Sequence, residues 1–99
     1  QIDGPTDDVL TLGDLRAKYE SFGWRVWECN GNDMQELVDT FNKIRENAHK
    51  GQSQILLAHT EMGMGVDFMM GTHKWHGVAP NDEQAANALS QLKETLGDY

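Results

Sequence analysis

The spacing of apolar residues along the chain predicts three helices. Hydrophobic positions recur three and four residues apart in three stretches, which places them on one face of a helix. The three sets are Leu12, Leu15, Tyr19 and Phe22; Met34, Leu37, Val38, Phe41, Ile44 and Ala48; and Ala85, Ala88, Leu89, Leu92 and Leu96. Side chains that can cap a helix precede the sets, at Thr11, Asp33 and Asn81. Gly23 and Gly97 are placed to end the first and the third helix.

Two short stretches between these helices predict strands. Residues 24–29 are rich in aromatic and β-branched side chains, and residues 54–59 hold four apolar residues in a row after Gln54. A continuous apolar run is typical of a strand that is buried on both faces of a parallel sheet. Strand, helix and strand in this order predict a right-handed βαβ unit, preceded by a loop at residues 4–8. We therefore expect an α/β fold over residues 1–99, as one partial domain with part of a three-layer parallel sheet and flanking helices.

The regular pattern stops between residues 60 and 80. This stretch holds four of the ten glycines and two of the four histidines. A loop of roughly twenty residues without regular structure is uncommon inside a compact domain and is commonly functional. We interpret residues 60–80 as a glycine- and histidine-rich functional loop.

Composition excludes several classes of protein. Sixteen acidic residues against eight basic ones give a net charge of -8, and no basic run is present, which argues against a nucleic-acid partner. No apolar stretch approaches the ~20 residues that span a bilayer, so we expect no membrane partner. Cys29 is the only cysteine, which excludes an internal disulfide and a cysteine-based zinc site. A chain with one cysteine and no disulfide is typical of a reducing compartment such as the cytoplasm.

The densest chemical cluster is His73-Lys74-Trp75-His76-Gly77. Two imidazoles three residues apart can share one turn. They could form a metal pair, but no cysteine or suitably spaced carboxylate completes a tetrahedral set. They could instead contact an anion or a polar substrate together with the lysine. The third possibility is that the histidines are solvated loop residues and Trp75 only packs.

Other segments carry weaker signals. Gly63 and Gly65 follow the second strand, where α/β proteins place ligands, but the segment has no phosphate-binding lysine and could be a plain turn. The acidic pair Asp7-Asp8 with Asp3 could bind a cation or be solvated. Cys29 has no base beside it in sequence. We therefore assign no metal ligand in this chain.

Five segments together resemble a known family. They are Gln1–Gly4, Tyr19–Trp24, Asn30–Asp33, Leu57–Gly65 and Gly71–Gly77. In this order and spacing they resemble transketolase, in the last third of its N-terminal diphosphate-binding domain. The resemblance is to the split transketolases, whose N-terminal subunit is a separate polypeptide ending about where Tyr99 falls.

The resemblance implies a transferase of carbohydrate metabolism, as in the pentose phosphate pathway, that uses thiamine diphosphate and Mg²⁺. Such an enzyme moves a two-carbon ketol unit between sugar phosphates. Its cofactor lies between the diphosphate-binding domain and a pyrimidine-binding domain from another chain, in a dimeric assembly. By the resemblance Ile2 packs against the cofactor, and His76 contacts its diphosphate and the reacting sugar, as the catalytic residue. His73 matches a second cofactor-binding histidine.

This sequence also departs from the family. Asn32 stands where the family usually has histidine, and Met62-Gly63-Met64-Gly65 stands where it often has Lys-Gly-Lys-Gly. The family's metal ligands lie upstream of the position of Gln1. We therefore expect a fragment of a thiamine-diphosphate-binding fold that is inactive alone and needs the upstream part of its domain and a C-terminal subunit. The alternative is a small acidic interaction module that kept the scaffold and lost the chemistry.

Overall fold

The computed structural model describes residues 3–48 and 50–93. Leu10–Thr60 form one unit, and the described residues before Leu10 and after Thr60 form a second. The elements in chain order are α1 (Thr6–Leu10), α2 (Leu15–Ser21), β1 (Arg25–Asn30), α3 (Met34–Glu46), β2 (Gln54–His59), a 3₁₀ helix (His73–Trp75) and α4 (Asp82–Gln91). The predicted α/β class is confirmed. Within the described residues, no helix combines the length and the apolar character needed to cross a membrane.

The two strands are parallel neighbours. Their register pairs Arg25 with Gln54 at one end and Asn30 with His59 at the other. Because α3 connects them, the predicted strand–helix–strand unit is confirmed. Val26 and Cys29 of β1 are buried, at 9% and 8% exposure.

β2 is less buried than its sequence predicts. Its bounds, Gln54–His59, match the prediction, but Ile55, Leu56 and Leu57 are only half-buried and Ala58 is exposed. The expectation of burial on both faces was therefore wrong. The physical reason is that α2 and α3 pack mainly against β1.

A polar chain joins the sheet to the end of α3. The indole Nε1–H of Trp27 donates to Gln54 Oε1 at 2.9 Å, and Gln54 Nε2 donates to the carbonyl of Ile44 at 3.1 Å. The guanidinium of Arg25 lies 4.5 Å from the centre of the Trp27 ring. Side-chain bonds therefore connect both strands to a carbonyl in the last turn of α3, which also accepts from the amide of Asn47 at 3.1 Å.

The beginning of the first predicted helix was placed wrongly. Asp14, not Thr11, is the N-cap of α2, and its Oδ1 accepts a bond from the amide of Ala17 at 2.8 Å. Thr11 instead accepts from the amide of Gly13 at 3.1 Å. Gly13 has a φ of 58°, which a helix cannot contain, so the helix begins after it.

The segment predicted as a loop at residues 4–8 is partly helical. The carbonyl of Pro5 accepts bonds from the amides of Asp8 and Val9, each at 3.1 Å, and α1 follows. Asp7 and Asp8 lie in its first turn, where negative charge is favourable.

α3 begins as predicted, at a cap formed by Asp33, whose Oδ1 accepts from the amide of Glu36 at 3.0 Å. The other half of the expected capping box differs. Glu36 Oε2 accepts from the amide of Asn30 at 2.8 Å, which ties the helix to the end of β1. The helix ends at Glu46, with Asn47 as its C-cap, rather than at Ala48.

The predicted apolar face of α3 is divided. Thr40 is buried and Leu37 and Ile44 are half-buried, so this part of the helix faces the rest of its unit. Three further members of the predicted face are exposed: Met34, Val38 and Phe41.

α4 has the predicted capping box. Asn81 Oδ1 accepts from the amide of Gln84 at 2.9 Å, and Gln84 Oε1 accepts from the amide of Asn81 at 3.0 Å. Ala88 is buried as expected, but Leu89 is 70% exposed. The helix ends at Gln91. The predicted stop at Gly97 lies outside the described residues.

Candidate functional site

The first half of the predicted functional loop is a series of hydrogen-bonded turns. The carbonyl of Gly63 accepts from the amide of Val66 at 3.0 Å, and the carbonyl of Val66 accepts from the amides of Met69 and Met70 at 2.9 and 3.1 Å. Val66 is 5% exposed and lies at the centre of these turns. The segment is therefore ordered by its own backbone rather than by helix or strand pairing.

Gly63 is required by this arrangement. Its φ is 70°, and a Cβ at this position would lie 2.6 Å from Met69 Cβ and 2.8 Å from the Met69 carbonyl carbon. No side chain fits at these distances. Of the two possibilities that the sequence left open at Gly63, a ligand site and a plain turn, this close approach of the chain to itself is typical of the turn.

Two side-chain links brace the loop. Glu61 Oε1 accepts from the amide of Gly71 at 2.8 Å. Asp67 and Gln91 exchange two bonds, from the Asp67 amide to Gln91 Oε1 and from Gln91 Nε2 to Asp67 Oδ1, each at 2.8 Å. The second link fastens the turn at Val66 to the last turn of α4.

The structure places the two predicted site histidines on one turn. His73 opens the 3₁₀ helix and His76 follows it, and the amide of His76 donates to the carbonyl of His73 at 3.0 Å. Thr72 caps the helix through Oγ1, which accepts from the amide of Lys74 at 3.3 Å. His73 is half-buried and His76 is exposed. The third predicted site residue, Ile2, lies outside the described residues.

Trp75 connects this turn to the Val66 turn. Its indole Nε1–H donates to the carbonyl of Phe68 at 2.9 Å. The two rings also meet edge to face, with centroids 5.3 Å apart and planes at 63°. Trp75 therefore packs against Phe68, and the packing includes a directional bond.

A second polar cluster lies in the unit that contains the sheet, and sequence reasoning missed it. Arg16 Nε and Nη2 donate to Glu28 Oε2 at 2.8 and 2.6 Å, and Nη1 donates to Glu20 Oε1 at 3.0 Å. His59 Nε2 lies 3.5 Å from Glu28 Oε1. The available signal was Glu28 itself, a carboxylate between Trp27 and Cys29 in a strand.

The electrostatics of this cluster follow from its hydrogen bonds. The bonds from Arg16 hold the pKa of the Glu28 carboxyl below its usual value, although burial opposes this effect. The bonds to Glu28 and then Glu20 raise the pKa of Arg16. Arg16, Glu28 and His59 line an open cavity of about 450 Å³ together with residues of β2. Because the ion pair is partly exposed, solvent screening weakens it.

Metal ligation finds no support in the described parts of the chain. Across residues 3–48 and 50–93, no group of three or more His, Cys, Asp or Glu side chains could hold a metal ion. The two histidines of the loop are therefore not joined by a third ligand from these residues. The arrangement offers imidazole and ammonium groups to an anion rather than a coordination sphere to a cation.

Comparison with known proteins gives related transketolase subunits. This chain is 36% identical over 97% of its length to one subunit of the apulose-4-phosphate transketolase of Phocaeicola vulgatus, and it covers 34% of that polypeptide. It is 37% identical over 95% of its length to the subunit of the same name from Actinobacillus succinogenes, of which it covers 33%. A transketolase of Sinorhizobium medicae is 26% identical over 92% of this chain. The chain thus spans about a third of the length of the two subunits.

The family assignment rests on nearly the whole chain. The family model described as "Transketolase, thiamine diphosphate binding domain" matches residues 1–97. This range includes both described strands, the loop with His73 and His76, and the four described α-helices. The chain belongs to the thiamine-diphosphate-binding domain family of transketolase.

Proposed function

We propose that this chain forms part of the first subunit of a cytoplasmic two-subunit transketolase and contributes to its thiamine-diphosphate site. The complete enzyme would transfer a two-carbon ketol unit between sugar phosphates, as part of carbohydrate metabolism. The observation that carries this proposal is the family match over residues 1–97. Both bacterial relatives are named as one subunit of a transketolase, which supports a second subunit that would supply the pyrimidine-binding domain, in a dimeric assembly.

The chemistry of the loop fits the diphosphate of the cofactor. His73 and His76 lie on one turn with Lys74 between them in sequence. One short segment therefore carries three side chains that contain nitrogen. Within the described residues, no hydrogen bond or ion pair engages either imidazole ring. Both rings are therefore available to donate to phosphate oxygens.

The described residues offer no binding site for the magnesium ion. No described group of three or more acidic, histidine or cysteine side chains could hold a metal. From the resemblance to transketolase, we propose that the Mg²⁺ ligands lie upstream of the position of Gln1. Hard oxygen ligands are what this ion prefers.

The residues of this chain would then have three roles. His76 would donate a ring N–H to the diphosphate and to the reacting sugar, and His73 would add a second contact on the same turn. Ile2 would pack against the cofactor. When bound, thiamine diphosphate would supply the nucleophile for the sugar carbonyl, while the protein would supply position and electrostatics.

The methionines at 62 and 64 increase the importance of the histidines. They are 42% and 45% exposed, and they stand where transketolases often have lysine. They add no positive charge near an anionic cofactor. The imidazoles and Lys74 would then carry more of the anion binding than in a relative with lysines.

A chimeric enzyme tests this proposal. Residues 1–97 replace the matching segment of the Phocaeicola vulgatus subunit, and the chimera is combined with that enzyme's second subunit. Calorimetry then measures binding of thiamine diphosphate with Mg²⁺, and a coupled assay measures ketol transfer. We expect binding and transfer by the chimera and no binding by the 99-residue chain alone.

Histidine variants locate the site within the chimera. A hydrogen bond to a charged group contributes about 1.5–3 kcal/mol, so His76→Ala should weaken cofactor binding about 10- to 150-fold. His59→Ala is the matched control, because this histidine lies in the other unit. The affinity of the His59→Ala chimera for thiamine diphosphate should stay within about twofold of that of the unsubstituted chimera. A folded chimera that binds no cofactor would instead favour the interaction module.

A further inference from the structure

We propose that Trp75 is a positioning residue that fixes the backbone of the turn that carries His73 and His76. This inference rests on the proposed function of the turn that carries them. Trp75 is the last residue of the 3₁₀ helix that begins at His73, and His76 follows directly. A rotation of the Trp75 backbone therefore moves His76 relative to His73.

The side chain of Trp75 can hold the turn because its bond is directional. The indole Nε1–H meets the Phe68 carbonyl at 2.9 Å and is half-buried. A part-buried donor of this kind is costly to leave unpaired. The edge-to-face contact with the Phe68 ring fixes the plane of the indole as well.

The acceptor is itself anchored. The amide of Phe68 donates to Asp67 Oδ1 at 2.7 Å, and the same carboxylate accepts from Gln91 on α4 at 2.8 Å. Gln91 Nε2 also donates to Asn87 Oδ1 one turn earlier in the helix. A continuous path of bonds therefore runs from α4 through Asp67 and Phe68 to Trp75.

This path explains how the backbone that carries an exposed ring could be held in place. His76 is exposed, so packing does not restrict it, and its backbone is fixed by the bond from its amide to the carbonyl of His73. That bond closes the turn that Trp75 braces. Positioning acts on the backbone of the histidines and leaves their rings accessible to a ligand.

Two replacements of Trp75 distinguish the contribution of its N–H donor from that of its aromatic ring. Trp75→Phe removes the N–H and keeps an aromatic ring. Benzothienylalanine at the same position keeps the bicyclic ring and removes only the N–H. The matched control is Trp27→Phe, because Trp27 Nε1 donates a bond of the same length, 2.9 Å, to Gln54 in the other unit.

The first readout is amide hydrogen exchange by NMR in the 99-residue chain without cofactor. Loss of one net hydrogen bond should speed exchange of the His76 amide about 2- to 12-fold in both Trp75 variants. Trp27→Phe should leave this amide within about 1.5-fold. An unprotected His76 amide in the unsubstituted chain, or equal effects of Trp75→Phe and Trp27→Phe, would overturn the inference.

The second readout is made in the chimera described above. Both Trp75 variants should raise the dissociation constant of thiamine diphosphate about 2- to 12-fold, and the KM of the sugar substrate should rise more than kcat falls. Affinity equal to that of the Trp27 variant would refute positioning while leaving the proposed function intact. Absence of binding by the unsubstituted chimera would refute the proposed function, and the exchange experiment would still decide on the geometry.

Discussion

Two glycines of the loop allow a test of how crowding, rather than backbone strain, determines its structure. Gly63 and Gly71 have nearly the same conformation, with φ of 70° and 66°. Their surroundings differ. A Cβ on Gly63 would lie 2.6 Å from Met69 Cβ and 2.8 Å from the Met69 carbonyl carbon and oxygen, whereas a Cβ on Gly71 meets nothing within 4 Å. Gly63→Ala and Gly71→Ala are therefore a matched pair.

The magnitudes follow from two separate terms. An L-residue in the left-handed region costs about 1–2 kcal/mol, and both variants carry this term. Extra carbon atoms in a packed site cost about 1–3 kcal/mol more, and only Gly63→Ala carries this term. Because two of the crowding atoms belong to the backbone of Met69, no side-chain rotation relieves the contact. We expect about 1–2 kcal/mol for Gly71→Ala and about 2–5 kcal/mol for Gly63→Ala.

Amide hydrogen exchange measures how much each glycine substitution destabilises the turns of the loop. The amides of Val66, Met69 and Met70 donate the bonds that form the turns. Their exchange should be about 5- to 150-fold faster in Gly63→Ala than in Gly71→Ala, from the 1–3 kcal/mol that separates the variants. Equal exchange in the two variants, or faster exchange in Gly71→Ala, would refute the idea that close approach to Met69 requires the glycine.

Two further predictions concern other elements. Because the bonds from Arg16 lower the pKa of Glu28 in the folded state, their stabilisation is fully present above the ordinary carboxyl pKa of the unfolded state and is lost as the pH falls through the lower folded-state pKa. Urea titrations of Glu28→Gln should therefore show a weaker loss of stability on acidification than the unsubstituted chain, and identical pH profiles would contradict this. Asn81→Ala removes the N-cap of α4 and should cost about 0.5–2 kcal/mol, measured as faster exchange of the Gln84 amide, whereas Asn81→Asp should keep the bond and the protection.

Local patterns predicted the elements of this chain well. The capping box of Asn81 and Gln84 and the bounds of β2 could be identified because the residues that form them are neighbours in sequence. The beginning of α2 could not, because the choice between Thr11 and Asp14 depends on the φ of Gly13. A capping pattern in the sequence does not predict the φ of Gly13.

The burial of β2 shows a second limit. Its apolar run indicates what the strand is suited to, but burial depends on which elements cover it. The helices pack mainly against β1, so Leu56 and Leu57 remain half-buried. Sequence patterns predict a preference for burial, and only tertiary packing determines whether it is met.

The sequence pointed to the residues of the candidate site but not to the bonds that brace it. His73 and His76 attracted attention because two imidazoles share a short segment. The bonds that order their surroundings join Trp75 to Phe68, seven residues away, and Asp67 to Gln91, 24 residues away. The residues of neither pair lie in one helix or strand, so no periodic pattern relates them. The Arg16–Glu28 pair, 12 residues apart and on different elements, was missed for the same reason.

The parallel pairing of β1 and β2 determines the order in which this region can assemble during synthesis. Trp27 and Gln54, which bond across the two strands, are separated by 27 residues. At a translation rate of about 5–20 residues per second, β1 leaves the ribosome about 1–5 s before its partner. During that interval the edge of β1 that pairs with β2 is unpaired, whereas α3 can already form because its caps at Asp33 and Asn47 are local. The formed helix would then shorten the flexible segment that connects β1 to β2, so β2 would find its partner more easily. A nascent chain arrested before Gln54 should therefore contain α3 without the sheet.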